Sequence, residues 1–202
     1  MNAIKWNRAL YILLGIVAIT SGICWLLGDQ QFTFNFVLEC LGTSVTVITA
    51  ISWFFCNVAW KWSFFRKWLV LVPDLNGCWS GTLISDWIDP ETKRPVPPID
   101  ATLSIKQSLF RTSCVLKTGE SSSRSMSSSF IIDPDNQVCK LVYTYQNDPD
   151  TTIQYRSRIH YGTAMLDIQV KNQAVVLDGS YFAGRKTSGQ MNFKREEKGD
   201  KK

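Results

Sequence analysis

Two uncharged, largely apolar stretches, Ala9–Gly28 and Cys40–Trp60, open the chain, and from Asn76 onward the pattern changes to alternation. Each stretch is about 20 residues long, enough at roughly 1.5 Å per residue to cross a hydrocarbon core about 30 Å thick. Residues 1–72 therefore read as a transmembrane hairpin with spans at about 9–28 and 40–60. The remainder, 73–202, reads as one β-rich module. Apolar side chains recur there with period two: Trp79, Leu83, Trp87; Leu103, Ile105, Leu109; Met126, Phe130, Ile132; Cys139, Leu141, Tyr143, Tyr145. The series continues through Ala164, Leu166, Ile168, Val170; Val175, Leu177, Tyr181; and Met191, Phe193. Such runs are half-buried strands. Turn chemistry separates them, as at Thr118-Gly119-Glu120, Asp133-Pro134-Asp135-Asn136 and Asn147-Asp148-Pro149-Asp150. With Thr112–Lys117 included, eight strands form a meander. A compact eight-stranded antiparallel β-barrel removes the edges of such a meander, and a sandwich is the competing arrangement.

Charge sets an orientation. Lys5 and Arg8 precede the first span, and Lys61, Arg66 and Lys67 follow the second, whereas the connecting Asp29–Glu39 carries two acids and no base. The excess of bases puts both termini and the barrel in the cytoplasm. Six of the eight tryptophans lie before residue 70, near the span ends, at the depth indole rings prefer. Gly42, Thr46 and Ala50 form a small-residue stripe on the second span, suited to close helix approach within the hairpin or between subunits. The six cysteines contain no CxxC and read as reduced, small apolar side chains in a cytosolic domain.

Catalytic signatures are missing. There is a single histidine, His160, no metal-ligand spacing, no phosphate-binding glycine loop and no G-x-S-x-G frame. Neither an enzyme nor a cofactor is expected. A binding module is better supported. Ser85, Gln107, Ser128, Tyr143, Tyr145 and Tyr181 share the parity of core-facing neighbours. Inward polar groups either satisfy one another or line a cavity. Arg156, Arg158 and His160 alternate on what reads as one strand, Arg185 and Lys186 follow Tyr181, and Arg124 precedes Met126. Aromatic faces with guanidinium groups suit a ligand of bases and phosphates. The opposite phase, with Ile153, Tyr155 and Ile159 inward, is equally compatible with composition. The serine-rich run Ser121–Ser129 reads as the polar outer face of a strand.

The two-span hairpin is followed by Leu75-Asn-Gly-Cys-Trp-Ser-Gly81, Leu103-x-Ile-x-Gln107, His160-x-Gly162, Gly179-x-Tyr181 and Arg185-Lys-Thr-Ser-Gly189. In this order and spacing the chain resembles the two-transmembrane, β-strand-rich effectors of bacterial cyclic-oligonucleotide-based anti-phage signalling systems (CBASS). The resemblance implies a barrel that binds a cyclic dinucleotide made by a nucleotidyltransferase, with no stable contact to that enzyme and no DNA or RNA polymer as partner. It implies ligand-driven homo-oligomerisation, disruption of the lipid of the inner membrane, and abortive infection. Carried onto this chain, it offers Trp79, Gln107, His160, Tyr181, Arg185 and Thr187 as ligand-binding positions. Arg124, Tyr143, Arg156 and Arg158 join them from the residue pattern alone. Gly77, Gly81, Gly162 and Gly189 are expected at tight barrel corners. A membrane-tethered, lipocalin-like carrier or sensor of a small apolar ligand is the alternative, and a filled structural scaffold a third.

Overall fold

The computed structural model describes residues 3–27, 33–66, 68–88, 93–155, 157–171 and 174–196. The chain divides into two units, one ending at Pro73 and the other beginning at Asp74. In the first unit, helix α1 spans Trp6–Leu27 and α2 spans Phe34–Asn57. Both are long and apolar enough to cross a membrane. The second helix starts earlier than hydropathy suggests. Thr33 caps it, accepting from the Phe36 N–H at 3.3 Å, and Asn35 and Glu39 are accommodated in its first turns. Most of the expected connecting segment is thus helical, and residues 28–32 lie outside the described part. The helix ends at Asn57, and single 3₁₀ turns follow at Ala59–Lys61 and Ser63–Phe65.

The two helices meet through Thr20 and Ser44, whose hydroxyls lie 2.6 Å apart and are buried. The edge-on rings of Trp25 and Phe36 add a contact near the other end. The contact face of α2 thus runs through Cys40 and Ser44, while Gly42, Thr46 and Ala50 are exposed on another side of the helix. Arg8 donates to the Trp68 carbonyl at 2.6 Å and sits 5.6 Å from its ring, joining bases and aromatics below the helices.

The second unit is a closed antiparallel barrel with strands in sequence order. They are β1 (Gly77–Ser85), β2 (Ile99–Gln107), β3 (Thr112–Thr118), β4 (Ser121–Asp133), β5 (Val138–Pro149), β6 (His160–Lys171), β7 (Ala174–Ala183) and β8 (Thr187–Arg195). The core lies inside it, built from Leu103, Ile105, Cys114, Leu141, Tyr143, Ala164, Leu166, Leu177 and Phe193. Each fully buried large apolar side chain contributes about 1.5–3 kcal/mol.

One strand departs from simple alternation. A bulge between Ser125 and Ser127 on β4 shifts its phase, so Met126 points outward at 67% exposure instead of joining Ser128 and Phe130. The β3–β4 ladder is correspondingly short, with three paired positions. Serine hydroxyls take over below it: Ser125 Oγ accepts from Cys114 N–H at 2.9 Å, and Ser128 Oγ donates to the Thr112 carbonyl at 2.6 Å. The serine-rich run therefore stitches a seam rather than merely covering an outer face.

The end of the barrel near Gly77 is plugged. Leu75 is fully buried and its N–H donates to Gln107 Oε1 at 2.8 Å. Trp79 Nε1 donates to the Leu75 carbonyl at 3.0 Å. Asn76 and Gln107 exchange reciprocal side-chain to backbone bonds at 3.1 and 2.7 Å. The Arg195 guanidinium covers the Trp79 ring at 4.8 Å.

Candidate functional site

At the opposite end the barrel opens into a cavity of about 730 Å³, within the range of small-molecule sites. Its walls come from the ends of the strands and the loops β1–β2, β3–β4, β5–β6 and β7–β8. Leu83, Leu116 and Met191 supply apolar lining. Above them sit two tyrosines, an arginine, a histidine, an asparagine and several hydroxyls.

The tyrosines are placed by glycines on neighbouring strands. Tyr145 pairs with Gly162 and Tyr181 with Gly189. A Cβ at Gly162 would lie 2.4 Å from the Tyr145 ring, and one at Gly189 would lie 2.6 Å from the Tyr181 ring. Each ring therefore lies across bare backbone while lining the cavity. Both glycines sit within strands, where they seat the rings. Burial pushes the Tyr145 phenol up to about 12, with Tyr181 adding and Arg185 opposing. It stays protonated at physiological pH.

Arg185 is held in position. Its Nη1 donates to Ser157 Oγ at 2.9 Å and its Nε to Thr187 Oγ1 at 3.3 Å, tying the β7–β8 turn to the β5–β6 loop. His160 Nδ1 lies 2.9 Å from the Arg158 carbonyl, so the ring nitrogen carries the proton there and Nε2 is left as an acceptor. Burial pulls the His160 pKa below its ordinary value and the nearby Arg185 charge lowers it further, against the opposing Arg158 carbonyl. Asp86 fastens the rim, accepting from the Ser188 N–H at 2.7 Å and hydroxyl at 2.6 Å, which holds its carboxyl below the usual range. Asp100 and Glu120 also line the mouth.

The ten candidate positions separate sharply. His160, Tyr181, Arg185 and Thr187 converge on the cavity. Trp79 and Gln107 lie at the plugged end, where their polar atoms fasten the segment at Leu75. Tyr143 is one pair of residues deeper than Tyr145, buried in the core, and its hydroxyl has no partner among the described residues. Arg124 points outward, 3.9 Å from Asp148 in a pair of largely exposed side chains. Arg158 is exposed and contributes its carbonyl to His160. Arg156 lies outside the described residues. In the described part the expected strand is not extended before His160: a 3₁₀ turn occupies Thr151–Ile153, Arg158 and Ile159 lie outside any strand, and β6 begins at His160. The reason is pairing. Asn147 already meets His160 and β5 ends two residues later at Pro149, so β5 offers partners no further back than Arg158.

The residue pattern passed over Tyr145 and Asn147 as ligand positions, although both share the inward parity of Tyr143 just before a turn. Trp87, Ser123 and Ser157 also line the cavity.

Residues 70–195, which hold every wall of this cavity, match the family model described as Cap15, cyclic dinucleotide receptor domain. The chain is also 25% identical over 190 residues to CD-NTase-associated protein 15 of Staphylococcus schleiferi, covering 94% of this chain and 92% of that relative. A matching model over more than half the chain, on a closed eight-stranded barrel behind two membrane-length helices, places this chain in the Cap15 cyclic dinucleotide receptor family.

Proposed function

We propose that the open end of the barrel receives a cyclic dinucleotide, and that its occupation gathers membrane-anchored chains and breaches the inner membrane as an anti-phage CBASS effector. The observation that carries this reading is the convergence of Tyr145, Tyr181, Arg185 and His160 in one cavity of the family's receptor domain. A cyclic dinucleotide offers two base faces and two phosphates. Base–aromatic stacking contributes about 1–3 kcal/mol per base. Arg185, already oriented by Ser157 and Thr187, keeps Nη2 for a phosphate oxygen, and charge-assisted bonds of this kind are the strong ones. Thr118, Ser121 and Ser85 supply further hydroxyls. No step requires bond-making by the protein, so the role is that of a non-enzymatic receptor without a cofactor.

Ligand shifts assembly only by binding the assembled form more tightly than the resting one. Confinement of α1 and α2 to a bilayer raises the effective concentration of chains, so a modest ligand-dependent contact suffices. The bases flanking the helices support an arrangement with both termini and the barrel on the cytoplasmic side. The nucleotidyltransferase then acts through the diffusible messenger, without stable contact. The test is dye release from phosphatidylethanolamine–phosphatidylglycerol vesicles carrying the full chain. Release is expected only when a cyclic dinucleotide reaches the barrel side. Equal release without nucleotide, or intact vesicles when the nucleotide is bound, overturns the proposal.

A further inference from the structure

We infer that Cys24 and Cys40 form a thiol–disulfide site that clasps the outer end of the membrane hairpin. This rests on the orientation proposed above, with both termini inside, and is independent of the ligand. Both helices belong to one compact unit. Thr20 meets Ser44 through hydroxyls 2.6 Å apart, and Trp25 meets Phe36, so the helices run antiparallel. Side chains as short as threonine and serine bond only across closely packed backbones. Residues four apart share a helix face, so one turn toward the connection Cys24 succeeds Thr20 while Cys40 succeeds Ser44. The pair facing at that level is therefore Cys24 and Cys40, and their thiols interact directly. Burial agrees: Cys40 is buried while Leu38 and Leu41 beside it are more than half exposed, so its side of α2 is the one pressed on α1. Facing side chains on close backbones are what a disulfide requires.

Depth decides the chemistry available. Cys24 lies three residues before Leu27 and Cys40 six residues after Phe34. Along the axes this is about 5 and 9 Å from the helix ends that meet at the connection. Trp25, next to Cys24, is the ring type that settles at headgroup level, and Glu39, next to Cys40, is an exposed carboxyl that needs water. The pair thus sits at the outer water–lipid boundary, on the side where disulfides form and persist. Cys78, Cys114 and Cys139 in the barrel stay with the cytoplasmic reductants. Closure is an exchange with a disulfide-bearing oxidant of the outer side. The Cys24 thiolate, the more open of the two, attacks one oxidant sulfur, and the other leaves and takes up the displaced proton. Cys40 then attacks the Cys24 sulfur of this mixed disulfide. The Cys24–Cys40 bond forms, the second oxidant thiolate leaves and is protonated, and two electrons have passed to the oxidant, now a dithiol.

The test counts free thiols on the full chain, expressed in a bacterial host with an oxidising envelope, quenched in acid, denatured and labelled with a polyethylene-glycol maleimide. Four of the six cysteines are expected to react before reduction and all six after it, with the unreduced chain running as a monomer. Cys24→Ser and Cys40→Ser are each expected to leave five thiols, all reactive without reduction. Six reactive thiols in the unreduced wild type overturn the inference, and diamide treatment of the chain in vesicles then tells which part failed. Closure by diamide retires the orientation on which outer-side oxidation rests, whereas no closure retires the pairing itself. A bond that survives Cys24→Ser, or a disulfide-linked dimer, also overturns it.

Discussion

His160 stands at the cavity wall with its charge suppressed, first by burial and then by the Arg185 guanidinium. A ligand carrying two phosphates reverses that balance, since negative charge beside the ring favours the imidazolium. The bound-state pKa is then above the free-state one, so binding takes up a proton and affinity rises as pH falls through the bound-state value. Cyclic dinucleotide affinity is expected to increase several-fold between pH 8 and pH 5.5. Titration calorimetry in two buffers of different ionisation enthalpy reads the proton uptake directly, and His160→Gln is expected to abolish it. The same dependence persisting in His160→Gln assigns the proton elsewhere. Cys114 presents the opposite case: burial pushes its thiol up to about 12, so it serves packing and not reaction.

Among the elements, β4–β6 show how small residues set the site. At Gly162 on β6, a methyl group meets the Tyr145 ring at 2.4 Å and the Phe182 carbonyl oxygen at 2.6 Å, so the ring must swing from its seat and the β6–β7 backbone must shift. Gly162→Ala is therefore expected to cost about 1–3 kcal/mol and to weaken ligand binding together with the near-ultraviolet tyrosine signal. Unchanged melting and binding contradict the seat. On β4, Ser125 is the acceptor for the Cys114 amide where the ladder to β3 gives out. Ser125→Ala leaves that N–H unpaired, at a cost of about 1–3 kcal/mol. Hydrogen exchange should be faster at Cys114 while the β5–β6 amides remain unchanged. Period-two patterning predicted these strands because apolar residues reveal their faces. It mistook the phase at Met126 because the surrounding serines suit either side of a sheet, so nothing in the composition marks the bulge.

For the whole molecule, alternation tells which residues point into a barrel but not which end they occupy. Gln107 and Tyr181 carry the same inward parity, yet one fastens the plug and the other lines the cavity. Strand register, which sequence pattern leaves open, makes that division. The hairpin was legible for a simpler reason: two apolar helices of membrane length need no register to be recognised. The family's motifs supplied the rest, and four of their six marked side chains meet at the open end. Occupancy of that end is measured by titration calorimetry of the full chain in detergent. Saturable binding of a cyclic dinucleotide is predicted, weakened tenfold or more by Arg185→Ala and changed less than twofold by Arg124→Ala on the outer wall. Undiminished binding in Arg185→Ala, or no heat from any cyclic dinucleotide, contradicts it.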